Sequence, residues 1–406
     1  MTYLQRYSVT KKEKKIKILK VSLLCIGISV LLVALGITAA NIIYNIDRDV
    51  PVVSINPFEL IPPKEVTLSM VGDNLLHMPL IKNGEQIDGT YNFDSLYEEM
   101  KPYFEESDIS VIVQETVLGG EEFEYSGYPL FNTPQEAGDS IKKAGFDVVL
   151  HATNHTLDKG AKGIENTLQY WKNHPDITVL GINESFDKQN EIAYCEKNEI
   201  KFALLNYTDS TNGIPLPSEK EYLLNVADEE KIISDLKLAE QNADFTVVFM
   251  HWGTEYSLKE NEYQKNLAAK MCEYGADLIM GSHPHVIEPV KWIDAENGNK
   301  ALVFYSLGNY VSRQKEAENL LGIIGTVKIV KEQNKKPYIS EATVMPTVTH
   351  YNVNSRGFKV YPLKDYTDDL ASVHGVSQYD GKVSVERFRK IFESVFAESG
   401  FVNLDY

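Results

Sequence analysis

One recurring arrangement constrains this chain more than any other feature. A short apolar run, too brief for a helix, is followed at once by a turn carrying Asp, Glu, Asn or His. Val66–Val71 runs into Gly72-Asp73-Asn74, and Ile109–Val113 into Gln114-Glu115-Thr116. Val148–Leu150 precedes His151-Ala152-Thr153-Asn154-His155-Thr156-Leu157-Asp158. Phe245–Met250 leads to His251-Trp252-Gly253-Thr254-Glu255-Tyr256, and Leu278–Met280 to Gly281-Ser282-His283-Pro284-His285. Leu302–Tyr305 leads to Ser306-Leu307-Gly308-Asn309. Apolar runs of this length, bounded by turns, read as buried strands. Helices are predicted between them at Asp94–Phe104, from Thr133-Pro134 to about Ala144, and at Gly163–Asn173, Ala227–Ala243 and Asn261–Tyr274. Thr133-Pro134 is a strong start signal, a capping hydroxyl followed by proline at the first helical position. Thr178–Leu180 and Ile200–Asn206 add strands, and Val385–Glu398 a terminal helix. Gly322–Val330 and Ile339–Val344 alternate like half-buried strands, which suits an antiparallel closing section.

Strands alternating with helices argue for an α/β layered domain. In open α/β sheets, ligands bind beyond the carboxyl ends of the strands. Asp73, Glu115, Asn154, His251, His283, His285 and Asn309 all follow such ends. A hydrophobic content of 43% is ordinary for a globular protein that buries a core.

The N-terminus is different in kind. Residues 21–46 carry no charge and are long enough to span a bilayer. Seven of the chain's 40 basic residues, but only one of its 58 acidic ones, lie in the first twenty positions. By the positive-inside rule this puts the N-terminus in the cytoplasm. A cleaved signal peptide with its cut at Thr38-Ala39-Ala40 is the rival reading, but the apolar segment exceeds the roughly 7–15 residues of such a leader's core. The expected organisation is a cytoplasmic basic segment (1–20), a transmembrane anchor (21–46) and an extended linker (47–64) holding Pro51, Pro57, Pro62 and Pro63. A domain over 65–350 follows, with a C-terminal extension (351–406) packing on it. The expected localisation is the cell membrane, single-pass, with the C-terminal domain extracellular.

After Ile46 the net charge is −24. Such a surface repels phosphate backbones and excludes nucleic acid as a partner. Cys25, Cys195 and Cys272 show neither metal-ligand nor disulfide spacing, so Cys195 and Cys272 are expected to stay free.

Asp73 and Glu115 offer anionic oxygens, Asn154 a carbonyl oxygen, and His251, His283 and His285 nitrogens. Mixed oxygen and imidazole ligation without thiolate suits zinc, manganese or iron. Six donors exceed what one catalytic ion needs, and they suit two ions bridged by a carboxylate, with Glu115 the candidate bridge. His155, next to Asn154, is placed to protonate a leaving group, and Asp158 to orient it. Asn309 can present its amide to a ligand. Trp252 and Tyr256 either wall the pocket or pack beneath it. Glu255 is either a carboxylate holding His251 or a solvated charge. His77 is a spare ligand candidate and His151 reads as core, whereas His174, His350 and His374 read as surface.

At Asn154-His155, His251 to Tyr256, Gly281 to His285 and Ser306 to Asn309 the chain resembles the capsule-synthesis CapA family of poly-γ-glutamate biosynthesis proteins. Tyr128-Pro129-Leu130-Phe131-Asn132-Thr133-Pro134 and Gly145-Phe146-Asp147 fit the same pattern. The resemblance runs from about Glu65 to Val344. It implies a divergent calcineurin-like metallophosphoesterase, with a four-layer α/β/β/α sandwich behind one transmembrane helix. Asp73, Glu115 and His285 would then hold one ion, and Glu115, Asn154, His251 and His283 the other. The Asp-x-His of the wider superfamily is absent, Glu115 stands where its bridging Asp would be, and Gln114 stands where the CapA branch commonly has Asn. These departures bear on the first ion and leave a one-ion site as the other arrangement. The implied role is a metal-dependent hydrolase-like protein in synthesis, anchoring or processing of an anionic surface polymer, with Trp252 and Asn309 touching substrate. The alternative is a non-catalytic, metal-containing subunit of a polymer synthase or export complex.

Overall fold

The computed structural model describes residues 3–44, 62–397, 399–400 and 402–406. Most of the expected linker, and the expected helix end at Glu398, therefore lie outside the described residues. The chain divides into two units, Met1–Ile61 and Pro62–Tyr406. The first contains one helix, Tyr3–Tyr44. Its stretch Glu13–Thr38 is long and apolar enough to cross a membrane. The hydroxyls of Ser29 and Thr38 donate to the carbonyls of Cys25 and Ala34, four residues back, so each is satisfied within the helix.

Among the described residues the second unit holds fifteen strands. In chain order they are β1 (Lys64–Asn74), β2 (Ile109–Val113), β3 (Val148–Leu150), β4 (Thr178–Leu180), β5 (Ala193–Lys197), β6 (Ile200–Thr208), β7 (Phe245–His251) and β8 (Leu278–Ser282). There follow β9 (Val290–Asp294), β10 (Lys300–Phe304), β11 (Asn309–Val311), β12 (Leu321–Lys331), β13 (Tyr338–His350), β14 (Lys359–Pro362) and β15 (Asn403–Leu404). One sheet runs β14-β13-β12-β1-β2-β3-β4, with β11 paired to β1 and β15 to β13. The other runs β5-β6-β7-β8-β10-β9. Parallel pairing joins β1 through β4 in the first sheet and β6, β7, β8 and β10 in the second. The antiparallel strands β12 to β14 close one side, as the alternating pattern predicts.

Side-chain alternation makes the layers. Along the second sheet Phe202, Leu204, Val247, Phe249, Leu278, Met280, Leu302 and Phe304 join one large core with Leu68, Met70, Val111 and Ile324 of the first sheet. The intervening Leu205, Val248, Met250, Ile279 and Val303 point the other way and pack with Ile232, Leu236, Leu267 and Met271 of two helices, Glu229–Asn242 and Glu262–Glu273. Period-two alternation thus gives each strand a face to the partner sheet and a face to a helix. Helix Glu136–Ala144 buries Ala137, Ile141 and Ala144 into the large core. The result is the four-layer α/β/β/α sandwich.

Three local expectations fail for identifiable reasons. The predicted helix Asp94–Phe104 is instead a 3-10 turn at Asp94–Leu96 and a short helix at Lys101–Glu105. Pro102 lacks the N–H that a continuous helix would need. Strand β5 escaped notice because its turn to β6, Asn198-Glu199, lacks the usual Asn-Gly signature, although both residues have positive φ (47° and 63°) as a tight hairpin requires. His350 and His374 are not surface residues, being 6% and 0% exposed. They pack where the C-terminal helix Val385–Phe396 inserts Phe388, Phe392 and Phe396 into the core.

His374 is held as a neutral imidazole. Its Nε2 donates to Thr349 O (3.0 Å) and its Nδ1 accepts from Val376 N (3.1 Å). Burial, with His350 beside it, lowers its pKa from 6.5 to about 3. The unfolded chain therefore takes up this proton first, and the group's contribution to stability falls as the pH drops below about 6.5. Going from pH 7.5 to 5 should cost about 2 kcal/mol through His374. Urea titration of the detergent-purified chain should show this dependence, weaker by about that amount in His374→Gln. An unchanged pH slope in that variant would refute the assignment.

Candidate metal centre

The parallel strands of both sheets end in the same region, and their last residues carry the polar turns. Asp73 is brought in by a close backbone approach at its neighbour. A Cβ at Gly72 would lie 1.8 Å from Gly308 O, so only glycine allows β1 to press against the Ser306–Asn309 turn. Asp73 N donates to Gly308 O (3.1 Å). Its carboxylate is fully buried, with Oδ2 accepting from His283 N (3.1 Å) and so linking the two sheets. Glu115 is also fully buried, two residues beyond β2, and Thr153 Oγ1 donates to its carbonyl (2.9 Å).

The imidazoles arrive from β7 and from the turn after β8. His251 Nε2 lies 2.9 Å from Asn154 Oδ1, 3.2 Å from His283 Nδ1 and 3.9 Å from Glu115 Oε1. The other nitrogen of His251 meets Ser282 Oγ at 2.9 Å. His285 Nε2 is 3.8 Å from Glu115 Oε1, while its Nδ1 lies 3.0 Å from Asn309 Oδ1 and 3.4 Å from Asp73 Oδ2. His283 and His285 have positive φ, 97° and 59°. Backbone of this kind is costly for residues with a Cβ and collects at functional sites. Here it turns both rings, either side of Pro284, toward the carboxylates.

These donors fit a cation. Atoms bound to one ion at about 2.1 Å sit roughly 3.0–3.5 Å apart, the edge of an octahedron or tetrahedron, which is close to the separations above. Asp73, Glu115 and His285 offer atoms within 4.8 Å of one another. Asp73 Oδ1 and both carboxylate oxygens of Glu115 are buried without a hydrogen-bond partner. An orphaned, buried carboxylate is expensive unless a positive charge meets it. Burial and then the charge of Asp73 push Glu115 well above the usual carboxylate range. Burial opposes charge on His285, but Glu115 and Asp73 outweigh it and raise that imidazole to about 9. Burial, then the neighbouring imidazoles, hold His251 well below its ordinary value and His283 at about 4. Those two rings are neutral at physiological pH, the form that ligates.

A cleft of about 410 Å³ opens over this cluster, with His155, Phe131, Tyr256, His285 and Gln314 among its walls. His155 Nδ1 meets Asp158 Oδ2 at 2.8 Å, and that oxygen also accepts from Phe131 N (2.7 Å). The edge of the Phe131 ring, 4.7 Å from the imidazole between centroids, fixes its tilt.

Several predicted roles need correction. Trp252 does not face the cleft. It is buried in the core outside the second sheet, its indole N–H donating to Tyr305 O (3.0 Å). Tyr256, 54% exposed, forms the wall instead. Asn309 is also fully buried, so it does not reach a substrate in the cleft. It sits behind His285, bonding that ring through Oδ1 and the His285 carbonyl through Nδ2 (3.2 Å). Glu255 is exposed at the cleft rim, and Ser282 rather than Glu255 holds His251. His77 lies at the rim, its Nδ1 near Leu75 O and accepting from Arg313 N. His151 is core, its Nε2 accepting from Trp171 Nε1 (2.8 Å). Two orienting residues escaped the sequence reading. Ser282 lies inside the Gly-Ser-His-Pro-His motif and was within reach of it. Asn212, whose Oδ1 accepts from Asn154 Nδ2 (3.2 Å), lies in a loop with no pattern to mark it.

Residues 67–314 match the bacterial capsule synthesis protein family PGA_cap. The chain is 33% identical over 253 residues to "PGA biosynthesis protein CapA" of Bacillus subtilis (strain 168), covering 61% of this chain and 64% of that protein. It is 29% identical over 259 residues to "Capsule biosynthesis protein CapA" of Bacillus anthracis, covering 62% and 61%. The chain thus spans somewhat less than two thirds of the length of these relatives. Among solved structures it is similar to the NAD nucleotidase of Haemophilus influenzae, at 11% identity and a TM-score of 0.46, over 85% of this chain and 64% of that one. The family match takes in every donor of the cluster, from Asp73 to the Asn309 that backs His285, and this chain belongs to the bacterial capsule synthesis proteins of the PGA_cap family.

Proposed function

We propose that this protein is a membrane-anchored, metal-dependent hydrolase whose domain stands outside the cell and acts on a capsule polymer, poly-γ-glutamate or its precursor. The observation that carries the reading is the set of buried, unpartnered carboxylate oxygens on Asp73 and Glu115 facing imidazole nitrogens at ligand spacing. Asp73, Glu115 and His285 would hold one divalent ion, and Glu115, Asn154, His251 and His283 a second, with Glu115 shared. Oxygen and imidazole donors suit manganese, zinc or iron. When bound, such ions supply Lewis acidity and a water nucleophile at neutral pH. The helix Tyr3–Tyr44 would provide the anchor, and subunits of a polymer synthase are the natural protein partners.

The chain's own residues supply the proton. Asp158 accepts from His155 Nδ1–H, which fixes the ring, so that the proton it would deliver is carried on Nε2. As water's oxygen bonds to phosphorus or to a carbonyl carbon, the ester or amide bond breaks. The Nε2 proton passes to the departing oxygen or nitrogen, and the proton that the attacking water loses restores His155 Nε2. A general acid in this role contributes roughly 10²–10⁴-fold.

Three outcomes are expected. Metal analysis of the full chain, purified in detergent, should find bound divalent metal, and the loaded protein should cleave a chromogenic phosphodiester or a γ-glutamyl amide. His251→Ala and Asn154→Ala should lose both metal and turnover, whereas metal retained without any turnover would assign the protein to a non-catalytic role in a synthase or export complex. His155→Ala and Asp158→Asn should slow esters with poor leaving groups by about 10²-fold or more but spare a nitrophenyl ester. Equal losses for both substrates would show a merely structural role. Asn309→Ala, which frees the His285 ring, should weaken metal binding by roughly 10–100-fold in a chelator competition. Unaltered affinity would refute its part in holding the ligand.

A further inference from the structure

Beside the cleft runs a second groove of about 680 Å³. The two share His77, Tyr128, Pro129 and Leu130 in their walls, so the groove lies alongside the cleft that opens over the candidate metal donors. Its charge is unlike that of the rest of the exterior. Among the described residues Lys159, Arg313 and Lys315 line it and no Asp or Glu does, on a chain whose net charge after Ile46 is −24.

The polar partners of these cations are neutral. Lys159 Nζ donates to Leu130 O (3.1 Å). Arg313 donates from Nε to Ser355 Oγ (2.9 Å) and from Nη2 to Tyr379 OH (3.0 Å), and its guanidinium lies over the rings of Tyr351 (4.6 Å) and Tyr379 (4.9 Å). Lys315 Nζ stands 5.4 Å from the Tyr379 ring centre. Among the described residues none of the three forms an ion pair, although Lys315 also borders a neighbouring pocket lined by Glu316, Glu318 and Asp380, and Arg313's planar fork is held in place, the arrangement that receives carboxylates. The opposite wall is apolar. Tyr128, 76% exposed, together with Pro129, Leu130 and Met78, offers surface to the carbon spacers between charges.

We infer that this groove is a binding track for an extended, acyclic polycarboxylate chain, which it feeds to the metal cluster. The inference rests on the capsule-polymer reading above and adds the residues that select the substrate. Elsewhere the acidic exterior repels a polyanion, so the track is also the place where such a chain can lie. A chain of phosphates would satisfy the cations but has no use for the apolar wall.

The test uses the full chain in detergent and a fluorescein-labelled γ-linked glutamate decamer, with binding read by anisotropy. Lys159→Gln/Lys315→Gln, in which both positions reach solvent and the fold is spared, should raise Kd about tenfold and flatten the dependence of Kd on salt between about 50 and 300 mM. Arg313→Lys, which keeps the charge but loses the fork, should weaken binding several-fold. The decamer with every side carboxylate amidated should bind wild type and double variant alike. Decamer binding unchanged in the double variant would overturn the groove assignment and leave the capsule-polymer reading standing. A wild-type chain that ignores the decamer altogether would overturn both. Tighter, groove-dependent binding of a polyphosphate of equal length would overturn the choice of carboxylate.

Discussion

Asp73 and Glu115 present carboxylates with no exposure to water, and three of their four oxygens have no hydrogen-bond partner. Two like charges sequestered together are among the least favourable things a fold can contain, unless something positive is held between them. His285 meets part of that need through its raised proton affinity. The neutral rings of His251 and His283 and the amide oxygen of Asn154 add neutral donors to the two carboxylates, a donor set of the kind that suits a divalent cation. The surrounding structure serves this cluster. Ser282, Asn309 and Asn212 bond the atoms that do not point inward, so the ones that do have a fixed direction.

The two sheets make such convergence possible. A single parallel sheet brings its carboxyl ends to one edge. Here two such edges meet, because β1 and β8 sit in facing sheets over one apolar core. Carboxylates come from the first sheet and imidazoles from the second. The hydrogen bond from His283 N to Asp73 joins them across a separation of 210 residues. The close approach at Gly72 and the positive φ angles of His283 and His285 are the local concessions that bring these side chains within reach.

Charge is organised at two scales. The chain after Ile46 is strongly acidic, which keeps polyanions at a distance, whereas the groove of Lys159, Arg313 and Lys315 beside the cluster reverses the sign locally. Recognition of an anionic polymer would then depend on a narrow region rather than on the whole surface. The bell of charge is sharpened by placing the cations against neutral hydroxyls, carbonyls and aromatic faces instead of carboxylates.

Much of this was written in the linear order of residues. Short continuous apolar runs, each ending in a polar turn and alternating with helical stretches, specify an α/β layered domain, because a strand buried on both faces carries such a run and its end meets solvent. The uncharged segment before Asp47 specifies a helix long enough for a bilayer. Residue type and position after the strand ends marked Asp73, Glu115, Asn154 and the three histidines as candidate metal donors, and the fold brings these side chains together. Depth and direction are different matters. Trp252 and Asn309 occupy the same motifs as the ligands, yet both lie behind the site, since which side of a turn a residue faces depends on the element packed against it. His350 and His374 looked like surface residues until the terminal helix covered them. Lys159, Arg313 and Lys315 carry no pattern that relates them, and only the folding of separate loops around one groove makes them a set.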